Sequence, residues 1–318
     1  MNINDLKYSE IRAYASATVA NVGCGFDIFG FAINEPGDEV FLKITDEPGV
    51  VIKEISGDKG MLPTEAVKNT AGKSLMAMLA FINAEFGIEM SLHKKMPIGS
   101  GLGSSAASSV VSVYAMNSML KNPLSREELL PFVIEGEKIA SGENVHLDNI
   151  SACLYGGFIL VRSQNPIDII SIPTPPSLHC TVIHPQIEIK TAEMRKMLKA
   201  RTPLEKAIHQ WANVAGVVTA LFKEDFELLK RSLKDEIIEP DRAVLIPHFY
   251  EMRDAALENG SVGFSISGSG PSVFAFSAGQ EDARKVAEAI GGVLKNKGIA
   301  YDVFVSPINK QGPRVIDN

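Results

Sequence analysis

The most constraining feature of this chain is the run Pro97-Ile98-Gly99-Ser100-Gly101-Leu102-Gly103-Ser104-Ser105-Ala106-Ala107-Ser108-Ser109. Three glycines at alternate positions permit positive φ and let the backbone come close to a ligand. The small hydroxyl residues that follow open a helix, expected from about Ser104 to Leu120, with Ala106, Ala107, Val110, Val113 and Tyr114 on its apolar face. Amides curled by glycines form a nest, and the free N–H groups and positive dipole end of a helix attract an anion. Ser104 and Ser105 can donate to phosphate oxygens or offer oxygens to Mg²⁺. A plain Gly/Ser turn with a serine cap is the bland alternative, and the length of the pattern weighs against it.

Two better-known phosphate loops do not fit. A Walker A loop needs a glycine five residues before Gly-Lys-Ser. Gly72-Lys73-Ser74 is present, but position 67 is Val67, and the triplet falls inside an expected helix. A dinucleotide fingerprint, and the glycine loop of protein kinases, need a third glycine where this chain has Ser104.

Around this loop the sequence gives both strand and helix signals. Residues 10–56 read as short strands with turns at Glu35-Pro36-Gly37-Asp38 and Glu47-Pro48-Gly49. A helix is expected over 67–86, a strand at Met90–Lys94, and a helix from a capping box at Ser125–Glu128 to about Ala140, kinked at Pro131. Phe158–Val161 reads as a strand. The proline-rich stretch Ile172–Pro176 marks a boundary near 163–178, dividing the chain into domains 1–168 and 169–318. The second half reads as a strand at 179–184, helices near 191–200, 204–222, 225–235 and 243–258, a hairpin-like pair at 262–266 and 272–277, a helix at 281–296 and a strand at 301–306. Helices and strands segregate rather than alternate strictly, which favours an α+β fold.

Composition narrows the function classes. With 318 residues and 45% hydrophobic content the chain can bury a sizeable core, and its length suits two domains. Acidic residues outnumber basic ones, 38 to 31, with no basic stripe, so nucleic-acid binding is not expected. Cys24, Cys153 and Cys180 are odd in number and lack metal spacing, as reduced thiols of a cytoplasmic protein would. The polar start has no signal-peptide core, and apolar runs such as Ala212–Phe222 fall short of the about 18 residues of a membrane span.

The run at 97–107 resembles the phosphate-binding motif of the GHMP kinases. Two further stretches support the resemblance in the same order along the chain: Ala17–Gly30, containing Ala20-Asn21-Val22-Gly23-Cys24-Gly25-Phe26-Asp27, and Ser265–Ser272. Within that superfamily the first motif is similar to the homoserine kinase branch. So are His146-Leu147-Asp148-Asn149 with Gly156-Gly157, Thr191–Arg195, and Glu239-Pro240-Asp241-Arg242.

The resemblance implies a two-domain α+β fold: an N-terminal domain like domain 2 of ribosomal protein S5, and a C-terminal ferredoxin-like domain. It implies an ATP- and Mg²⁺-dependent kinase acting on L-homoserine in threonine biosynthesis, a homodimer without nucleic-acid or membrane partners. It places Pro97, Ile98, Gly99, Ser100, Gly101, Leu102, Gly103, Ser104, Ser105, Ala106 and Ala107 around the nucleotide. Asn21, Asp27, His146, Asn149, Arg195 and Arg242 would surround homoserine, and Glu137 with Ser104 or Ser105 would hold the metal. Asn149, His146, Asp148 and Arg195 are the residues implied at the reacting end.

The same residues suit that chemistry. Guanidinium groups at Arg195 and Arg242 match a carboxylate, Asp27 an ammonium group, and Asn21 and Asn149 can donate and accept. Glu137 is a hard oxygen ligand suited to Mg²⁺. Each has an ordinary reading too: surface arginines, a capping Asp27, a core histidine, a solvated Glu137. No dedicated base is evident, and Asp148 remains open as one. Two other functions stand beside this reading: another GHMP kinase acting on mevalonate-type or sugar substrates, and a non-catalytic nucleotide sensor.

Overall fold

The structure is a computed structural model that describes residues 1–187, 197–199 and 201–316. Its larger sheet holds β1 (Glu10–Ala20), β2 (Phe29–Thr45), β3 (Gly49–Ser56), β4 (Gly87–His93), β5 (Phe158–Gln164), β6 (Ile167–Ile172) and the short β11 (Arg314–Val315). The order is β11-β1-β2-β4-β3, with β5 pairing β2 and β6; β3 and β4 run parallel and the other pairs antiparallel. The long β2 is shared, its start pairing with β5 and its end with β4. Helices α2 (Ser104–Met119) and α4 (Leu147–Tyr155) lie on β1 and β2, with α1 (Thr70–Phe81) and α3 (Arg126–Ser141) against α2.

The second sheet holds β7 (His179–Pro185), β8 (Ser261–Ile266), β9 (Val273–Ser277) and β10 (Tyr301–Pro307), antiparallel in the order β10-β7-β9-β8. This is the ferredoxin-like order expected from the resemblance. Between β7 and β8 come α5 (Leu204–Lys223), α6 (Phe226–Ser232), α7 (Glu239–Ala243) and α8 (Phe249–Glu258); α9 (Gln280–Asn296) precedes β10 and lies on β7. The change of sheet falls between Ile172 and His179, in the proline-rich stretch. Phe31 of β2 joins the two halves: its ring centroid lies 5.9 Å from Phe158, 5.8 Å from Phe274 and 5.0 Å from Phe276. Such aromatic packing makes one continuous core across both sheets.

Several boundaries differ from expectation for local reasons. Helix α1 starts at Thr70, where Asn69 accepts from the amides of Ala71 and Gly72, and it stops before Asn83 turns the chain at φ 48°. The decoy triplet Gly72–Ser74 lies inside it. Helix α3 opens on the expected reciprocal cap between Ser125 and Glu128 and continues through Pro131. The helix expected over 243–258 starts only at Phe249, after a turn at 244–248, because Pro247 disfavours helical geometry before it and His248 takes φ 61°. The helix expected near 191–200 lies mostly outside the described residues.

Candidate active site

The glycine loop folds as its composition dictates. Gly99, Gly101 and Gly103 take φ of 74°, 80° and 67°. Its carbonyls are held from outside: Thr18 N donates to Leu102 O at 3.0 Å, Ser267 Oγ to Gly101 O at 2.7 Å and Ser272 N to Ser100 O at 3.3 Å. The first motif supplies Thr18 beyond a bulge in the β1–β2 pairing, and the third supplies the turn. All three motifs therefore meet at one place. Gly103 begins α2 with no side-chain cap, so the first-turn amides of the helix are left for a ligand.

The loop walls a cavity of about 760 Å³. Ile98, Gly99, Ser100, Gly101, Gly103, Ser104 and Ser105 line it. Leu102, Ala106 and Ala107 are fully buried behind that wall, and Pro97 stands outside the lining. The volume is that of an ordinary small-molecule site.

One side of the cavity is acidic but sparsely hydrogen-bonded. Ser105 Oγ donates to Glu137 Oε1 at 2.8 Å, joining α2 to α3. Glu137 Oε2 is buried without a hydrogen-bond partner among the described residues. Burial pushes the Glu137 carboxyl up to about 7, against the lowering effects of Ser105 and Lys94. Asp148, at the start of α4, is wholly buried; Asn149 N donates to its Oδ1 at 2.9 Å, and its Oδ2 likewise has no partner among the described residues. Burial, then the nearby Asp27 charge, raises its carboxyl to about 7. Helix α4 reaches this position because Gly30 of β2 has no side chain: a Cβ there would come within 2.2 Å of the Asp148 carbonyl. A divalent cation fits this donor set. Magnesium takes few protein carboxylates, completing its shell with water and phosphate, and Glu137 Oε2 is a buried oxygen lacking a partner.

The residues expected around a zwitterion line the same cavity. Asn21, at φ 60°, accepts from Asp27 N at 2.8 Å and donates through Nδ2 to Gly268 O at 2.8 Å. Arg242 is buried, with Nη1 donating to Gly268 O at 3.3 Å and its guanidinium 5.0 Å from the Phe26 ring centroid. Asp27, exposed, and His146, just before α4, both line the cavity. Asn149 Oδ1 accepts from Thr18 Oγ1 at 2.8 Å. Arg195 lies outside the described residues. No helix opens at Asp27, so its helix-capping alternative finds no support.

Sequence reasoning passed over Lys94. Its Nζ pairs with buried Asp38 and donates to Ser104 O at 2.8 Å and Ser108 Oγ at 2.6 Å. It thus grips the first turns of α2 from beneath. The signal was present: Met90, Leu92 and Lys94 continue one strand alternation, and a lysine on the buried face requires a partner.

Known proteins resemble this chain over nearly its whole length. Residues 66–157 match the family described as GHMP kinases N terminal domain, and residues 217–296 match GHMP kinases C terminal. The homoserine kinase of Chlorobium phaeobacteroides (strain BS1) is 46% identical, with 96% of this chain and 99% of that one covered. The crystal structure of homoserine kinase from Cytophaga hutchinsonii is 49% identical, with 98% of each chain covered and a TM-score of 0.95. L. major mevalonate kinase is more distant, 17% identical with a TM-score of 0.71, covering 96% of this chain and 97% of that one, and shares the fold. The chain belongs to the homoserine kinases of the GHMP kinase superfamily.

Proposed function

We propose that this chain transfers the γ-phosphoryl group of ATP to the side-chain hydroxyl of L-homoserine, giving O-phospho-L-homoserine and ADP, a step of threonine biosynthesis. The observation that carries the reading is the shared cavity: an uncapped helix start and the Ser105–Glu137 pair lie on it together with Asn21, Asp27 and Arg242. The loop from Ile98 to Ser105 binds the triphosphate through backbone amides. Arg242, with Arg195, takes the substrate carboxylate, and Asp27 takes the ammonium group. Asn21, His146 and Asn149 orient the chain that carries the hydroxyl.

Glu137 with Ser104 or Ser105 would hold Mg²⁺, which when bound neutralises charge on the β- and γ-phosphate oxygens. The hydroxyl oxygen forms the new bond to phosphorus as the bond to ADP breaks. A loose transition state needs little early deprotonation, so the proton passes to phosphate and positioning supplies most of the acceleration. Asp148 is the alternative acceptor. The 1–168 half would carry the nucleotide and the 169–318 half would complete the substrate pocket, a division supported by the change of sheet after β6.

The protein is read as a cytoplasmic homodimer. No helix among the described residues is long and apolar enough to cross a membrane. The test is a coupled assay for O-phosphohomoserine from L-homoserine, ATP and Mg²⁺. Faster turnover of mevalonate or a sugar would overturn the substrate, and ATP binding without turnover would favour a sensor.

A further inference from the structure

Helix α5 buries only Val217, Ala220 and Leu221 among its twenty residues. Its inner side is held by polar contacts: Gln210 Nε2 donates to Cys24 O at 3.0 Å and to Asp235 at 2.9 Å, and Asn213 Nδ2 donates to Lys234 O at 3.0 Å. The opposite side carries Leu204, Ile208, Trp211, Ala215 and Phe222, with Val218 at its margin, half-buried and packed against the core. These positions are spaced by four, three, four, three and four, the repeat of a coiled-coil seam. Leu204 is 69% exposed, Ile208 45%, Trp211 56% and Phe222 63%. A helix side left to water would ordinarily be polar.

The spacing is the same read from either end, with its midpoint at Asn213. A two-fold interface demands this, because each residue must meet its counterpart reciprocally. We propose that the outer seam of α5 pairs antiparallel with the same seam of a second copy of this chain. The proposal rests on the reading of the protein as a homodimer and names the surface that forms it.

In that pairing Leu204 faces the partner's Phe222, Trp211 the partner's Ala215, and Ile208 the part of the partner's Val218 that the core leaves uncovered. Each large side chain meets a complementary one, and the tryptophan meets the smallest. Glu205 at one end comes near the partner's Lys223 at the other, and antiparallel dipoles attract. Burial of the four exposed side chains would remove roughly 500 Å² per protomer, about 1,000 Å² in all, which reaches the lower bound for a specific interface. Edge strand β6, with exposed Ile167 and Ile170, touches α5 and extends the apolar surface.

Trp211 is the chain's one tryptophan, so it reports directly on this surface. Light scattering and sedimentation of the full chain should show a dimer, with tryptophan emission shifting to the red as dilution dissociates it. Trp211→Asp should weaken the dimer by about 100-fold or more, and Trp211→Phe should preserve it. Ala215→Glu should break the same contact while leaving the tryptophan as reporter, with circular dichroism and melting confirming that each variant is folded. A wild-type dimer unchanged by both charged substitutions overturns the surface and leaves the homodimer reading standing. A wild-type monomer overturns both, even if its tryptophan responds to vesicles or another protein.

Discussion

Ser105, in the first turn of α2, donates to Oε1 of Glu137 on α3 at 2.8 Å, while Oε2 of the same carboxylate is buried without a partner among the described residues. A buried carboxylate oxygen left this way is costly unless a ligand completes it. Glu137→Gln keeps the shape and the acceptor for Ser105 but removes the charge. It should lower kcat/KM by about 100- to 1,000-fold and raise the Mg²⁺ concentration needed for half-maximal rate. Unchanged turnover at limiting Mg²⁺ would remove Glu137 from the metal site.

The same burial makes stability depend on pH. The Glu137 carboxyl is raised from 4.5 to about 7 in the folded chain. Between those values the native state binds a proton that the unfolded state has released. The protonated form therefore contributes stability that is fully present below 4.5 and is lost as pH rises through about 7. Glu137→Gln cannot lose it. The ligand-free variant should match wild type near pH 4.5 and exceed it at pH 8 by on the order of 2 kcal/mol. Melting curves across that range decide the matter, and a gap that closes as pH rises would contradict it.

The three loop glycines should respond differently to a methyl group. At Gly103 a Cβ would lie 2.0 Å from Thr18 Oγ1 and 2.8 Å from Asn149 Oδ1; at Gly101 it would lie 2.4 Å from Ser267 O. At Gly99 it would meet no atom within 4 Å. Gly99→Ala therefore carries only left-handed strain, about 1–2 kcal/mol. Gly101→Ala and Gly103→Ala add a clash and should lose about 2–4 kcal/mol, read by urea unfolding. Gly99→Ala should instead raise KM for ATP, since Gly99 lines the cavity.

The parts of this chain legible in its sequence were those set by local chemistry. The glycine loop, the Ser125–Glu128 cap and the strand alternation around Met90 each follow from neighbours along the chain. What was hidden depends on distant partners. Helix α4 carries Asp148 and Asn149, poor helix formers, in its first turn, and its place is fixed by the room left at Gly30. Strand β6 exists because β5 offers it an edge, and β11 because β1 does. Lys94 reads in sequence only as the end of the Met90–Lys94 strand, and its buried partner Asp38 comes from another strand. The residues expected around the substrate were named from motifs, but their convergence on Gly268 O, which both Asn21 and Arg242 reach, is a product of the fold.

The Lys94–Asp38 pair should be structural and functional together. Both side chains are almost wholly buried, so deleting one leaves an uncompensated charge. Lys94→Met should cost about 3–5 kcal/mol, and the double variant with Asp38→Asn should cost less than the sum of the single ones. Because Lys94 also holds the Ser104 carbonyl, the surviving enzyme should show a raised KM for ATP with KM for homoserine little changed. Equal rises in both would mean a general loosening of the fold.

Asp148 offers the sharpest test of how the hydroxyl loses its proton. Its buried carboxyl, raised to about 7, has the pKa of a general base at neutral pH. Yet its Oδ1 is already engaged by Asn149 N, and the attack on phosphorus needs no early deprotonation. Asp148→Asn retains the acceptor for that amide and cannot take up a proton. If attack is direct, kcat should stay within about 10-fold of wild type and any rise of rate through pH 7 should persist. If Asp148 is the base, kcat should fall by about 1,000-fold and the limb of the pH profile near 7 should vanish with it. Measuring kcat against pH at saturating ATP and homoserine separates the two, because loss of binding would appear in KM instead.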